Sequence, residues 1–360
     1  MEGYIKPIGG EFWFDNAIIN KNIDNFNETN SILLNGGQSA IEFILQDIDL
    51  KENEYILMPS YLCPTILYKF EKKNISMLFY EINEDLSINI EDVKELIKKF
   101  NVKVLYFINY FGFYHNEETI TYFKDIKEKG ILLIEDAVQM LWFKKLNKFI
   151  GNYVFNSYRK FFPYDGSMVI CDSKINSNFK IEKDKYYKLV LEARIKKTQY
   201  IKKHIGEEEN FLNKFIETEK WYYKRNTING IDEISKQNLS HIDFHKLKKE
   251  RRDNYNFIYD KLKECNKVKV LFNTNQIEDN APLAFPILIN DRGFIRNELR
   301  KYNIYCPVHW DITGERWILD FPKSIRISKS ILSIPIDWRY NLKDMNRITD
   351  TIFNFYRFVK

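Results

Sequence analysis

Three short segments in the first half of the chain combine residue types that could handle an aldehyde and an anion. Ser157-Tyr158-Arg159-Lys160 follows an apolar run, so Lys160 falls just past the end of a candidate strand. A lysine placed there, beside another cation and partly desolvated, is tuned towards a pKa of about 7–8, where the amine is a nucleophile. It can condense with an aldehyde and later move protons. Ile131–Ile134 runs into Glu135-Asp136-Ala137-Val138-Gln139, which puts Asp136 at the carboxyl edge of a sheet. A carboxylate there is costly unless it meets a cation, a metal or hydrogen-bond donors. A protonated pyridine nitrogen would serve, and capping of the next helix is the structural alternative. Asn35-Gly36-Gly37-Gln38-Ser39-Ala40 reads as a strand end turning into a helix, whose free N–H groups and dipole suit a phosphate. Ser39 could add a hydroxyl donor or simply cap the helix, and Ser157 could reach the same anion.

These segments need a sheet edge to bring them together, and the first 175 residues supply its pattern. Candidate strands are 31–34, 55–58, 75–79, 102–107, 131–135, 153–157 and 168–171. Amphipathic stretches at 39–47, 64–72, 90–99 and 117–129 lie between them; in the last, Ile120, Phe123 and Ile126 recur at helical spacing. Strand–helix alternation predicts a mostly parallel, seven-stranded α/β sheet with helices on both faces. Tyr106–Phe113 reads as a strand running into an aromatic loop beside the pocket. From about residue 179 to 240 long charged helices take over. A helix at 241–264 with an apolar stripe then opens a smaller α+β domain, built from runs at 282–289 and 330–336 and helices at 292–302 and 342–356. The expected division is 1–240 and 241–360.

Composition narrows the function further. Of 360 residues 44% are hydrophobic and 16% aromatic, enough to bury one large core and a smaller one. The charge of +5 arises from 55 basic and 50 acidic residues that are mostly interspersed, which argues against a nucleic-acid partner. The densest basic run, Lys246, Lys248, Lys249, Arg251 and Arg252, reads as a solvated helix face. Cys63, Cys171, Cys265 and Cys306 are too scattered for a zinc site or a disulfide framework, so no metal is expected. No apolar stretch approaches the length of a membrane span, and a cytoplasmic location is expected.

Taken together, strand–GGQSA–helix, EDAVQ, and SYRK before the Gly-containing hairpin 163–167 resemble a fold-type-I enzyme dependent on pyridoxal phosphate (PLP). In particular they resemble the DegT/StrS family of sugar aminotransferases. Ile8–Phe12, Met58–Tyr61, Asn109–Gly112 and Leu332–Ile336 are similar to further segments of that family. The resemblance implies that Lys160 holds PLP as a Schiff base, that Asp136 pairs with the ring nitrogen, and that Gln139 lies near the ring's phenolic oxygen. It also implies that Ser157, Gly37, Gln38 and Ser39 hold the phosphate, helped across a homodimer by an asparagine, Asn226 or Asn229, in a shared active site.

The departures from the family are specific. Its lysine usually follows the serine by five residues, whereas here the spacing is three, and Asn156 is the other counterpart of that serine. The place of the ring that stacks on PLP holds Cys63, with Tyr61 as the substitute. Cys306-Pro307-Val308-His309-Trp310 is similar to the family's P-x-H segment, so His309 and Trp310 are candidates for the sugar, and Arg326 or Arg339 for a donor carboxylate. The implied reaction moves an amino group from an amino acid, glutamate by expectation, to a nucleotide-linked keto-sugar. A sugar dehydratase, a transaminase of other ketones and a non-catalytic protein on the same fold are the alternatives.

Overall fold

The computed structural model describes residues 5–20, 28–175, 180–182, 186–224, 227–277 and 280–358. All seven expected strands form, in one sheet: β1 (Ser31–Leu34), β2 (Tyr55–Pro59), β3 (Met77–Tyr80), β4 (Val102–Ile108), β5 (Leu132–Asp136), β6 (Tyr153–Phe155) and β7 (Ser167–Cys171). Their order is β1-β7-β6-β5-β4-β2-β3, and β7 alone runs against its neighbours. Helices α1 (Gly37–Asp47), α2 (Pro64–Lys72), α3 (Ile90–Lys99) and α4 (Glu117–Glu128) connect the strands. Every residue of β6 and β7 is buried, as strands covered on both faces require.

Register decides where the chemistry lies. Ile108, Asp136 and Phe155 are paired neighbours across β4, β5 and β6, so the carboxyl ends of three parallel strands are level. The loops after β1, β2, β5 and β6 therefore leave from one edge of the sheet, where open α/β sheets hold their ligands.

The charged stretch folds as a long antiparallel-looking pair, α5 (Tyr186–Lys203) and α6 (Glu208–Lys224), followed by α7 (Glu233–Leu239). Helix α5 pins the loop that carries Lys160. Arg194 donates to both oxygens of Asp165, at 2.7 and 3.2 Å, and both side chains are buried. Replacing Arg194 with methionine strands that carboxylate, and the expected loss is about 3–5 kcal/mol of unfolding free energy. Denaturant unfolding of the variant measures it; an unchanged midpoint would contradict the anchoring role.

Beyond α7 come α8 (Phe244–Leu262), α9 (Arg292–Lys301), α10 (Pro322–Ser330) and α11 (Leu342–Phe358). They accompany a three-stranded antiparallel sheet of β8 (Val268–Val270), β9 (Phe285–Ile289) and β10 (Ile331–Ile334). The stripe Phe244, Leu247, Tyr255, Ile258 and Leu262 is buried as its spacing predicts. The basic run is not uniformly a solvated face, however. Arg251 falls one turn from Leu247 and from Tyr255, and the stripe carries it inside.

Candidate active site

At the level edge of the sheet one cavity is lined by Gly37, Gln38, Cys63, Asp136, Gln139, Ser157, Lys160, His309 and Trp310. Nine residues singled out from the sequence thus meet in one place, although they span most of the chain.

Lys160 ends a single helical turn, Tyr158–Lys160, directly after β6. Its pKa is lowered, first by burial and then by the neighbouring Arg159 guanidinium, so the neutral amine is favoured. Asp136 is buried and its pKa is pushed up to about 6 by desolvation, against the pull of its donors and of Lys160. One of its oxygens accepts the Tyr106 hydroxyl at 2.6 Å, the other the Val138 N–H at 2.9 Å. Those two bonds fix the carboxyl plane. Strand alternation sends the adjacent Glu135 elsewhere, to the N–H groups of Ile150 and Gly151 and to Asn109.

The corner expected to take an anion is the start of α1. Gly37 and Gln38 line it, and Ser157 lies against Gly37. The α6 residue Tyr222 projects its hydroxyl here, 3.4 Å from the Gln38 nitrogen. A Cβ on Gly36 would stand 2.3 Å from that hydroxyl, so only glycine leaves room for it. Ser39 turns away: its hydroxyl donates to Asn35 and accepts the Asn229 N–H. Asn229 also accepts the Asn35 N–H through its backbone. Its side-chain oxygen accepts the Thr227 hydroxyl at 3.0 Å, while Asn226 lies outside the described residues. Asn156 is tied to Trp142 and Met168 and faces the interior, which leaves Ser157 as the serine on the cavity.

Gln139 accepts the Phe111 N–H and packs its carbonyl where a Cβ on Gly112 would come within 2.7 Å. Gly112 has φ +91°, a backbone state that also calls for glycine. Tyr61 is fully buried and does not line the cavity. Its hydroxyl instead bonds the backbone of His309 and Trp310, holding that segment over the site. The large aromatic side chains on the cavity are Phe155, Tyr222, Tyr223 and Trp310. His309 bonds Ser333 at 2.8 Å, and burial together with Lys160 lowers its pKa to about 3, so it is a neutral imidazole.

Two expected residues are not at the site. Arg326 sits on α10 at the surface and pairs with Glu84. Arg339 is consumed by Asp337, at 2.7 and 2.9 Å, and by the carbonyls of Gly10 and Glu11. Conversely, Glu219, Tyr222 and Tyr223 were not foreseen, and Arg159 was read only as a cation beside Lys160. Arg159 stacks 4.1 Å from the Tyr222 ring centre and forms an ion pair with Glu219 at 2.5 Å.

The donor set fits PLP: a half-buried amine of lowered pKa for the aldehyde, a buried carboxyl for the ring nitrogen, and a helix start with a serine for the phosphate. Among the described residues no helix is long and apolar enough to cross a membrane, and no cluster of His, Cys, Asp and Glu could hold a metal.

No family model and no curated protein matches this chain by sequence. Solved structures do match by shape. DesV of S. venezuelae, in complex with a ketimine intermediate, is 15% identical over 92% of this chain and 86% of its own, with TM-score 0.62. A DegT DnrJ EryC1 StrS aminotransferase from Brucella abortus gives the same identity, coverage and score. DesI, in the presence of its TDP-sugar product, is 13% identical over 89% of this chain and 79% of its own, also at 0.62. At such identities the likeness is one of architecture, and this chain has the fold of those proteins.

Proposed function

We propose that the chain is a PLP-dependent aminotransferase that moves an amino group from an amino-acid donor to a keto-sugar, in its nucleotide-linked form. The observation that carries this reading is that Lys160 and Asp136 line one cavity with the start of α1. The shared fold with DesV and DesI supports it, since one was solved with a ketimine and the other with a TDP-sugar.

When bound, PLP supplies a ring that stabilises negative charge at the substrate's reacting carbon. Asp136, aligned by Tyr106 and Val138, holds the proton on the ring nitrogen. The Lys160 Nζ, whose ammonium form burial and Arg159 disfavour, would take the proton from the donor's α-carbon and return it once the amino group has moved. The α1 start, Ser157 and Tyr222 orient the phosphate. Tyr61 positions His309 and Trp310, whose neutral ring and flat face suit a sugar's hydroxyls and apolar side. In the family that the sequence resembles, the dehydratases carry a histidine in place of this lysine, so Lys160 favours transfer over dehydration.

A homodimer with a shared site, a division near residue 240 and a cytoplasmic location belong to the same proposal. The break between α7 and α8 supports the division, and sedimentation of the purified chain tests the dimer.

Mixing the protein with PLP is expected to give the absorbance of a lysine-bound pyridoxal. Glutamate should convert it to the pyridoxamine form, and a nucleotide-linked keto-sugar should reverse that change. A spectrum identical to free PLP would overturn the proposal.

A further inference from the structure

A second cleft opens beside the first, and Arg159, Lys160, Leu283 and His309 line both. Its other walls come from the Gly9–Phe12 segment, α8, α9 and the turn at Asp337. Arg251, Arg296, Arg300 and Arg339 face it, against two acids, Glu11 and Asp337. Asp337 is spent on Arg339, so that pair is closed.

The other three arginines form no ion pair among the described residues. Arg251 is only 1% exposed; it donates to the carbonyls of Pro282 and Leu283, and its Nε has no partner. The centre of the Phe161 ring lies 4.8 Å from its guanidinium carbon, and the nearest carboxylate, Asp337, acts on it only through space because it is bonded to Arg339. Among the described residues no anion is bonded to this buried guanidinium, and one that was would offset its desolvation. Arg296 and Arg300, one turn apart on α9, bond the Cys306 carbonyl and the Asn297 amide oxygen. The cleft thus carries one deep and two shallower cations and leads to Lys160.

We propose that this cleft binds a substrate bearing two oxyanions, one on Arg251 and the other on the Arg296–Arg300 pair, so that its reacting carbon is held against Lys160. A dicarboxylic amino donor and the diphosphate of a nucleotide-linked acceptor both have this chemistry. The role of Lys160 rests on the aminotransferase reading, whereas the binding of the anions does not.

The test is calorimetric titration of the full chain, with 2-oxoglutarate in one arm and inorganic pyrophosphate in the other. Binding in either arm is expected, weakened at least about tenfold by Arg251→Lys, which keeps the charge but loses the two-pronged donor. The double variant Arg296→Ala/Arg300→Ala should weaken it several-fold, and because these side chains lie nearer the surface it stays informative if Arg251→Lys does not fold. The arm that responds identifies the source of the anions. Equal binding by the wild type and the variants, or no binding of either anion at millimolar concentration, overturns the proposal. PLP absorbance of the same preparations is read separately. Arg251-dependent anion binding without PLP uptake would keep this inference and sink the aminotransferase reading.

Discussion

Lys160→Ala is expected to lower amino-group transfer by about 10³-fold or more, since it removes both the nucleophile and the proton carrier. It should do so without unfolding the chain. The folded state lowers the pKa of this amine, so it disfavours the ammonium form. The stability contribution of such a group is therefore negative at neutral pH and recovers as pH rises towards the ordinary lysine value. The variant should unfold at the same denaturant concentration as the wild type or slightly higher. Borohydride reduction in the presence of PLP should fix cofactor mass on the wild-type peptide carrying Lys160 and leave the variant unlabelled. Labelling at another lysine would sink the assignment.

Asp136→Ala is expected to cost about 10²–10³-fold in turnover, because nothing else on the cavity can hold a proton on the ring nitrogen. The pH behaviour separates this role from a purely structural one. In the cofactor-free chain burial raises the Asp136 pKa from 3.8 to about 6. A raised carboxyl pKa gives stability that is complete below the unfolded value and lost as pH rises through the folded one. The cofactor-free protein should thus gain about 2 kcal/mol from this group on acidification from pH 7 to 4, and Asp136→Asn should remove that slope. Cofactor affinity should move the opposite way and weaken below about pH 6, where the carboxyl is protonated. Affinity that is flat across pH 5–8 in the wild type would contradict the ring-nitrogen pairing.

The sheet and the cavity's main chemical groups were legible because short-range patterns decide them. Buried parallel strands read as apolar runs, and a polar residue at the end of such a run must lie at the sheet edge. That rule puts Asp136, Ser157 and Lys160 at the edge, and the family resemblance supplied the roles expected of them. What escaped depends on tertiary register. Ser39 and Asn35 consume each other, and no spacing rule shows it. Tyr61 differs from Cys63 by a turn that points one side chain inward and the other to the cavity. Arg326 was a candidate only because arginine recognises carboxylates bidentately, and α10 carries it to the surface. Tyr222 and Tyr223 lay in a charged stretch without strand signals, yet a tyrosine pair amid lysines and glutamates hints at a helix with a buried face. The signal for Arg251 was stronger: it occupies a stripe position between Leu247 and Tyr255, where only a residue on the inner face belongs.

The reversed strand β7 gives the molecule an ordering in time. It lies between β1 and β6, so the helix start that follows residue 34 and the lysine turn that follows residue 155 become neighbours only once β7 has inserted. Closing so distant a contact is slow compared with forming a helix. During refolding, the grip on a phosphate should therefore be among the last features to mature, and uptake of the cofactor would mark the moment when the whole sheet has closed.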